Sequence, residues 1–234
     1  MTKSFYTRFR LATRGNKLFW ITLLFLVAAV FSYFVFITPD EGGMATFMSM
    51  AMIALVGYFY GPCYGFATSI LFGCVMFLLH NQVPTVDVKP EYMFKFLGED
   101  CYWGEVADYI IGYGLMGITG FFTFAKEPDK EKTRRLFFKN SNFLIGFIIA
   151  SGLRFIEGIW NCYHFYGHDN FIDDITGVYH LPEHLGYCTW YSFWYIGIEA
   201  VLSLIILLLP PVAEAVRYIA ECATSKYEEN TNYL

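Results

Sequence analysis

The chain has 234 residues, of which 56% are hydrophobic and only 16% are charged, and it contains 25 Phe and 18 Tyr. Soluble globular domains usually have about 45–50% apolar and about 25% charged residues, so this balance predicts a membrane protein and excludes an ordinary soluble domain. The formal net charge of -5 argues against nucleic acid as a partner.

Six apolar stretches follow one another along the chain, and each is long enough to cross a hydrocarbon layer of ~30 Å as an α-helix. The first lacks a small-residue cleavage site, which predicts a retained helix and not a cleaved signal peptide. Tyr60-Gly61-Pro62 predicts a tight turn between the second and third stretches, and Pro210-Pro211 ends the sixth. The predicted spans of this single domain, residues 1–234, are about 18–37, 44–60, 62–80, 103–124, 140–163 and 190–211.

Lysine and arginine are concentrated in three polar segments, and positively charged loops stay in the cytoplasm. Thirteen of the 16 lie before residue 18, between residues 125 and 139, or after residue 211. Both termini are therefore predicted to be cytoplasmic, which requires an even number of spans. The long connections 81–102 and 164–189 are then on the outer face, where loops of this length are candidate lids. The predicted fold class is an all-α, six-transmembrane-helix bundle.

Cysteine and histidine form no recognisable metal motif. The six cysteines include no CxxC pair and the histidines do not reproduce HExxH, so neither a zinc site nor a thioredoxin-type site is predicted. Four histidines are expected in a solvated outer loop: His164, His168, His180 and His184. Three cysteines fall on or near the outer face, where a disulfide is an alternative to free thiols: Cys101, Cys162 and Cys188.

Four ionisable side chains fall inside the predicted spans, where each costs a few kcal/mol and is a functional candidate: Asp108, Arg154, Glu157 and Glu199. Arg154 and Glu157 lie three residues apart on one helix face, so an ion pair that neutralises itself is the first interpretation and a ligand role the second. Asp108 has no cation near it in the sequence. Its isolation favours ligand binding over a hydrogen bond between helices.

Large aromatic residues crowd the outer halves of the last three spans. An interfacial aromatic belt explains part of this enrichment. Aromatic faces beside buried carboxylates also suit a flat, cationic heteroaromatic ligand such as thiamine, held by stacking, cation–π attraction and an opposite charge. The candidate ligand residues are Asp108, Tyr109, Glu157, Trp160, Tyr166, Tyr191, Tyr195 and Glu199. Four glycines of the fourth span predict close helix packing around it: Gly112, Gly114, Gly117 and Gly120.

A series of short motifs runs through most of residues 40–205 and is densest over residues 105–122. They are Gly42-Gly43, Gly61, Glu105-Val106-Ala107-Asp108-Tyr109-Ile110, Gly117-Ile118-Thr119-Gly120-Phe121-Phe122, Leu153-Arg154-Phe155 and Tyr191-Ser192. In this order they resemble the ThiT (YuaJ-type) thiamine transporters, the substrate-binding S components of energy-coupling factor (ECF) transporters. The resemblance implies a multi-pass protein of the bacterial plasma membrane that binds its vitamin near the outer face and docks on a coupling transmembrane subunit with two cytoplasmic ATPases.

The resemblance also implies residue roles. Asp108 occupies the acidic ligand position of the family and Tyr109 the aromatic position beside it, while Tyr191 matches the tyrosine that stacks on the ligand. Tyr166 matches an aromatic residue beyond the fifth helix, and Arg154 a structural basic residue.

The chain departs from the family at Gly158 and Ile196, where polar ligand contacts are expected. Glu157 and Glu199 lie close by in the sequence and are candidates to replace those contacts. A hydrogen-bonding group left unpaired costs about 1–3 kcal/mol, so a thiamine precursor or another vitamin is the alternative ligand. The small-residue face that docks the coupling subunit has its nearest counterpart in Ala28 and Ser32.

Two rival interpretations stay open. An intramembrane enzyme would use Asp108, Glu157 or a loop histidine as acid or base, but no Ser/His pair or HExxH motif is positioned for hydrolysis. A tetraspan-like structural protein would leave the membrane-embedded charges unexplained. The sequence, which also has no P-loop, therefore predicts a binding and transport protein that is not an enzyme and needs neither a cofactor nor a metal.

Overall fold

The structure is a computed structural model that describes residues 15–34, 46–82, 104, 106–126, 140–165 and 181–224. All secondary structure in these residues is helical, which confirms the predicted all-α class. Apart from a short 3₁₀ turn, Phe124–Lys126, the helices are α1 (Lys17–Ser32), α2 (Ser49–Tyr60), α3 (Pro62–Gln82), α4 (106–121), α5 (Ser141–Phe165), α6 (Leu181–Leu208) and α7 (Pro210–Thr224). The candidate Tyr166 and Cys101 lie outside the described residues.

Two of these helices contain a π-helical turn. In α4 the turn covers Asp108–Gly112 and is followed by a 3₁₀ stretch, Leu115–Phe121. In α6 it covers Phe193–Gly197, between two regular α-helical halves. Such turns are rare and often mark functional sites. Both contain a predicted ligand residue, Asp108 in α4 and Tyr195 in α6.

Helices α5 and α6 are each long and apolar enough to cross a membrane, with 25 and 28 residues. Helices α1, α2 and α3 are also apolar but have shorter apolar stretches within the described residues. The outward face of α5 carries exposed apolar side chains at helical spacing: Ile145, Ile148, Leu153 and Ile156. A continuous apolar face of this kind indicates contact with lipid or with another protein.

Hydrogen bonds hold four chain segments together at one end of the bundle. The bonds are Gly15 N to Cys222 O (2.9 Å), Tyr60 Oη to Ala223 O (3.3 Å) and Asn140 Nδ2 to Ala213 O (2.9 Å). The start of α1, the end of α2, the start of α5 and helix α7 therefore meet at the same end. An up-and-down bundle with an even number of long helices has this arrangement.

Glycines bring α4 against α2 and α3. A Cβ atom on Gly117 would lie 2.6 Å from the backbone of Phe66, and one on Gly120 would overlap Pro62. Thr119 Oγ1 donates to a backbone carbonyl of α2 at 2.7 Å. These approaches confirm the close packing that the glycines of α4 predict, and they place α4 in the centre of the bundle.

The turn between α2 and α3 also agrees with its prediction. Gly61 alone separates the two helices, and its φ angle of +90° is one that side chains with a Cβ rarely adopt. Its N–H group donates to Gly57 O at 2.8 Å, which ends α2.

Two predictions near α6 are wrong, and a further helix follows it. The outer connection 164–189 contains the first residues of α6, which begins at Leu181. His184, expected in solvent, is 0% exposed, and its ring lies 5.1 Å from the ring of Tyr163 on α5. Helix α6 ends at Leu208, directly before the two prolines as predicted, but Pro210 then begins the further helix α7, which was not predicted. Proline is favoured at the first position of a helix, where its missing N–H group is not needed.

Candidate ligand-binding site

Three ionisable side chains from two helices converge on Gly112 of α4. A Cβ atom placed on Gly112 would lie 3.0 Å from Glu157 Oε2, 3.3 Å from Asp108 Oδ1 and 3.7 Å from Arg154 Nε. Because glycine has no side chain, the space over its Cα is left to these charged groups. The structure thus brings together three of the four membrane-embedded charges that the sequence singles out.

Asp108 connects α4 to α6 by a hydrogen bond between helices, the alternative that its isolation in the sequence disfavoured. Its Oδ2 atom accepts a hydrogen bond from the Tyr195 hydroxyl group, and both residues lie in the π-helical turns. Its Oδ1 atom is buried and has no hydrogen-bond partner in the part of the chain that the structure describes. The carboxylate is therefore oriented by one bond and retains one acceptor atom for another molecule.

Arg154 is only 2% exposed and lies over an aromatic ring, with Cζ 3.8 Å from the centroid of Tyr113. Its Nε and Nη1 atoms have no hydrogen-bond partner among the described groups. The predicted Arg154–Glu157 ion pair is wrong, because neither carboxylate oxygen of Glu157 has such a partner either. A cation–π contact with Tyr113 takes the place of the ion pair.

Glu157 has two buried carboxylate oxygens without a partner in the described residues. Asn161 lies one helical turn further along α5 and donates one amide N–H to Gly104 O at 2.7 Å, while its amide group also lies near Glu157 without satisfying either carboxylate oxygen in full. Buried polar atoms are nearly always hydrogen-bonded in folded proteins, and each one left unpaired costs about 1–3 kcal/mol. The unpaired atoms of Asp108, Arg154 and Glu157 therefore make this the candidate site for a polar ligand.

Glu199 differs from the other carboxylates because its acceptors are occupied. It accepts hydrogen bonds from Thr46 Oγ1 at 2.5 Å, Ser49 Oγ at 2.8 Å and the Met50 N–H group at 3.0 Å. The bonds to Ser49 and Met50 are at the N-terminus of α2, where a negative charge complements the helix dipole. Glu199 thus has a structural reason to be buried, and its ligand role stays a prediction.

Tyrosine rings flank the charged residues. The ring of Tyr109 is stacked on that of Tyr113, with centroids 6.3 Å apart. On α6, the ring of Tyr191 lies 6.1 Å from that of Tyr195. Trp160 is 49% exposed and packs on His164 at 4.8 Å, so the structure does not bring it to the charged residues.

The two positions that depart from the ThiT pattern lie against each other. A Cβ atom on Gly158 of α5 would lie 2.5 Å from Ile196 Cδ1, and both residues are buried. The isoleucine side chain thus fills the space that a larger residue at position 158 would need. The Ser192 hydroxyl group also lies here, 3.4 Å from the same Cβ position, and its Oγ atom has no hydrogen-bond partner among the described residues.

Tyr113 and Gly112 were not predicted as site residues. Tyr113 follows Asp108 by five residues, a spacing that places two residues on different sides of an α-helix. In a π-helical turn the hydrogen bonds join residues five apart, so the two side chains lie on one side. Gly112 was recognised only as a packing residue.

No family model matches the chain, and no curated protein matches it. Among the described residues, no group of three or more His, Cys, Asp or Glu side chains could hold a metal ion. The functional proposal therefore depends on the arrangement of charged residues around Gly112.

Proposed function

We propose that this protein binds thiamine, or a closely related cationic heteroaromatic molecule, at the charged residues around Gly112. The observation that carries the proposal is the set of unpaired carboxylate oxygens on Asp108 and Glu157. A ligand with amino or cationic groups satisfies these acceptors and removes the cost of burying them unpaired.

The charge balance of the site favours a monovalent cation. Asp108 and Glu157 contribute two negative charges when ionised and Arg154 contributes one positive charge, while Glu199 is bound to the N-terminus of α2. A net negative charge is expensive in an apolar interior, and a cationic ligand neutralises it. The thiazolium ring of thiamine carries one positive charge.

The neighbouring rings suit a flat ligand. Tyr109, Tyr113 and Tyr195 lie beside the carboxylates, and because Arg154 covers the buried ring of Tyr113, Tyr109 is the member of the stacked pair that can offer aromatic surface. At Gly158 and Ile196 the site lacks the two polar contacts that the ThiT pattern has there, and the Ser192 hydroxyl group is the polar group that lies beside Gly158 instead. For this reason the pyrimidine or thiazole part of thiamine, or another vitamin, is the alternative ligand.

For the whole molecule we propose a six-span protein of the bacterial plasma membrane that acts in uptake and performs no covalent chemistry. Two membrane-capable helices and the meeting of four chain segments at one end support this topology. We further propose, from the resemblance to ThiT proteins, that it is an S component that docks on an ECF coupling subunit with two cytoplasmic ATPases. ATP-dependent uptake of labelled thiamine into proteoliposomes containing all four proteins tests this part.

The binding proposal is tested by titrating the detergent-purified protein with thiamine and with its separate pyrimidine and thiazole halves, using tryptophan fluorescence and calorimetry. Thiochrome, an uncharged oxidation product of thiamine, is the control for the role of charge. We expect saturable binding of thiamine or of one half, little binding of thiochrome, and weaker binding by Asp108→Asn.

Two outcomes contradict the proposal. If none of the three molecules binds, the ligand belongs to another class. If thiochrome binds as well as thiamine, the carboxylates do not act as counter-charges. Because the separate halves carry no fixed positive charge, a response to one half alone keeps the site, changes the ligand to that precursor and assigns its recognition to hydrogen bonds instead of charge.

A further inference from the structure

Two buried cysteines face each other between α5 and α6. Cys162 is 4% exposed, Cys188 is 0% exposed, and a side-chain hydrogen bond joins the two thiol groups. Neither of them is in a disulfide in this structure. The sequence left open whether any of the outer cysteines are bonded, and the structure now places these two together.

The packing of the two helices supports this contact independently. A Cβ atom on Gly158 of α5 would lie 3.4 Å from Ser192 Oγ of α6. Cys162 lies four residues after Gly158 on α5, and Cys188 lies four residues before Ser192 on α6. The two helices are antiparallel, so a step of one turn forward on α5 and one turn back on α6 leads from the Gly158–Ser192 contact to the Cys162–Cys188 contact. The register thus brings the two cysteines to the same level.

A further contact continues the same register. The rings of Tyr163 and His184 lie 5.1 Å apart, beyond the cysteines and toward the N-terminus of α6. Contacts between α5 and α6 therefore lie on both sides of the thiol pair along the helix axes, and they hold Cys162 and Cys188 opposite each other.

The position along α5 indicates the compartment. Residue 162 lies about 32 Å from residue 141 along a helix that rises about 1.5 Å per residue, and this distance is close to the thickness of the hydrocarbon layer. With residue 140 on the cytoplasmic side, as the lysine and arginine distribution predicts, the thiols are near the outer end. Disulfides form and persist in oxidising compartments outside the cytoplasm.

We propose that Cys162 and Cys188 form a disulfide that joins the outer ends of α5 and α6. The bond forms by exchange with a disulfide oxidant, either a small molecule or a thiol–disulfide oxidoreductase. One thiolate attacks the oxidant and releases its first thiol, and the second thiolate then displaces the remaining thiol. Two protons and two electrons thus pass to the oxidant, and one sulfur–sulfur bond forms while another breaks.

The bond fixes the two helices that carry parts of the candidate site. Glu157 lies five residues before Cys162 on α5, and Tyr195 lies seven residues after Cys188 on α6. Once α6 has packed on α5, burial shields the bond from reductants. Because the disulfide closes a loop through residues 163–187, reduction should lower the melting temperature by about 5 °C or more.

Peptide mapping tests the disulfide. The full-length protein is extracted without reductant in N-ethylmaleimide, denatured in the same reagent, digested and analysed by mass spectrometry without reduction. We expect a cross-linked peptide containing Cys162 and Cys188, while Cys63, which is exposed, is alkylated and serves as the control. Reduction should lower the melting temperature of the wild type but not of the C162S/C188S double variant.

Recovery of both cysteines as alkylated peptides overturns the proposal, and so does a bond from either of them to Cys101. Peptide mapping needs no variant, so a double variant that fails to fold leaves the test intact. The result is also independent of whether thiamine binds.

Discussion

Glutamine substitutions of Glu199 and Glu157 should have opposite effects: the first should lower folding stability, and the second should lower ligand affinity. In Glu199→Gln, the new amide group faces donors that now bind a carboxylate: Thr46 Oγ1, Ser49 Oγ and Met50 N–H. One or two charge-assisted hydrogen bonds are lost at about 1.5–3 kcal/mol each, so we expect a loss of about 2–4 kcal/mol of folding stability. For a chain of this size the melting temperature falls by roughly 5–15 °C.

Glu157→Gln removes a charge that has no partner among the described residues, so no existing bond is lost. A neutral amide is easier to bury than a carboxylate, and the melting temperature without ligand should stay the same or rise. Affinity for a cationic ligand should fall by about 10-fold or more, because a hydrogen bond to a charged group contributes about 1.5–3 kcal/mol. Glu199→Gln should change affinity by less than about twofold, because its carboxylate is engaged elsewhere.

Scanning fluorimetry without ligand and calorimetry with thiamine measure both quantities on the same preparations. The reasoning is refuted if Glu199→Gln weakens binding at an unchanged melting temperature, since Glu199 would then be a ligand residue. It is also refuted if Glu157→Gln lowers the melting temperature as Glu199→Gln should. The stability measurements remain decisive even if thiamine is the wrong ligand.

Two further predictions concern packing and the orientation of Asp108. Gly117→Ala should lower the melting temperature, because its Cβ atom would lie 2.6 Å from the backbone of Phe66, whereas Gly152→Ala, with nothing within 4 Å, should leave it unchanged or raise it. Equal effects of the two substitutions would show that α4 is not closely packed. Tyr195→Phe should weaken ligand binding by about 10-fold by freeing Asp108, without abolishing it, and an unchanged dissociation constant measured by calorimetry would exclude this positioning role.

Local sequence signals were sufficient for much of the fold. The apolar stretches predicted the helices, and Gly61 with Pro62 predicted the turn between α2 and α3, because few residues tolerate its backbone conformation. The glycines of α4 predicted its central position. These features depend on single residues or on short periodic patterns, which can be recognised in the sequence without knowledge of contacts between helices.

Features that depend on contacts between helices could not be predicted in this way. The start of α6 was missed because Pro182 and Gly186 suggest a loop, although burial of His184 against α5 shows the tertiary contact that the sequence pattern does not reveal. For the site, Asp108 and Glu157 were identified from their cost in a membrane. The separate role of Glu199 depends on Thr46 and Ser49, residues about 150 positions away in the chain.

The π-helical turn of α6 has a geometric consequence. Such a turn contains one more residue than an α-helical turn, so the residues after it are rotated by about 100° relative to an uninterrupted helix. The half before the turn buries Cys188 and Ser192, and the half after it buries Glu199 and Ser203. The turn thus changes the direction in which the buried side chains of α6 point. The first half of the helix can therefore pack on α5 while the second half places Glu199 at the N-terminus of α2. Deleting one residue from the turn would restore a single helical phase and rotate Glu199 away from the N-terminus of α2.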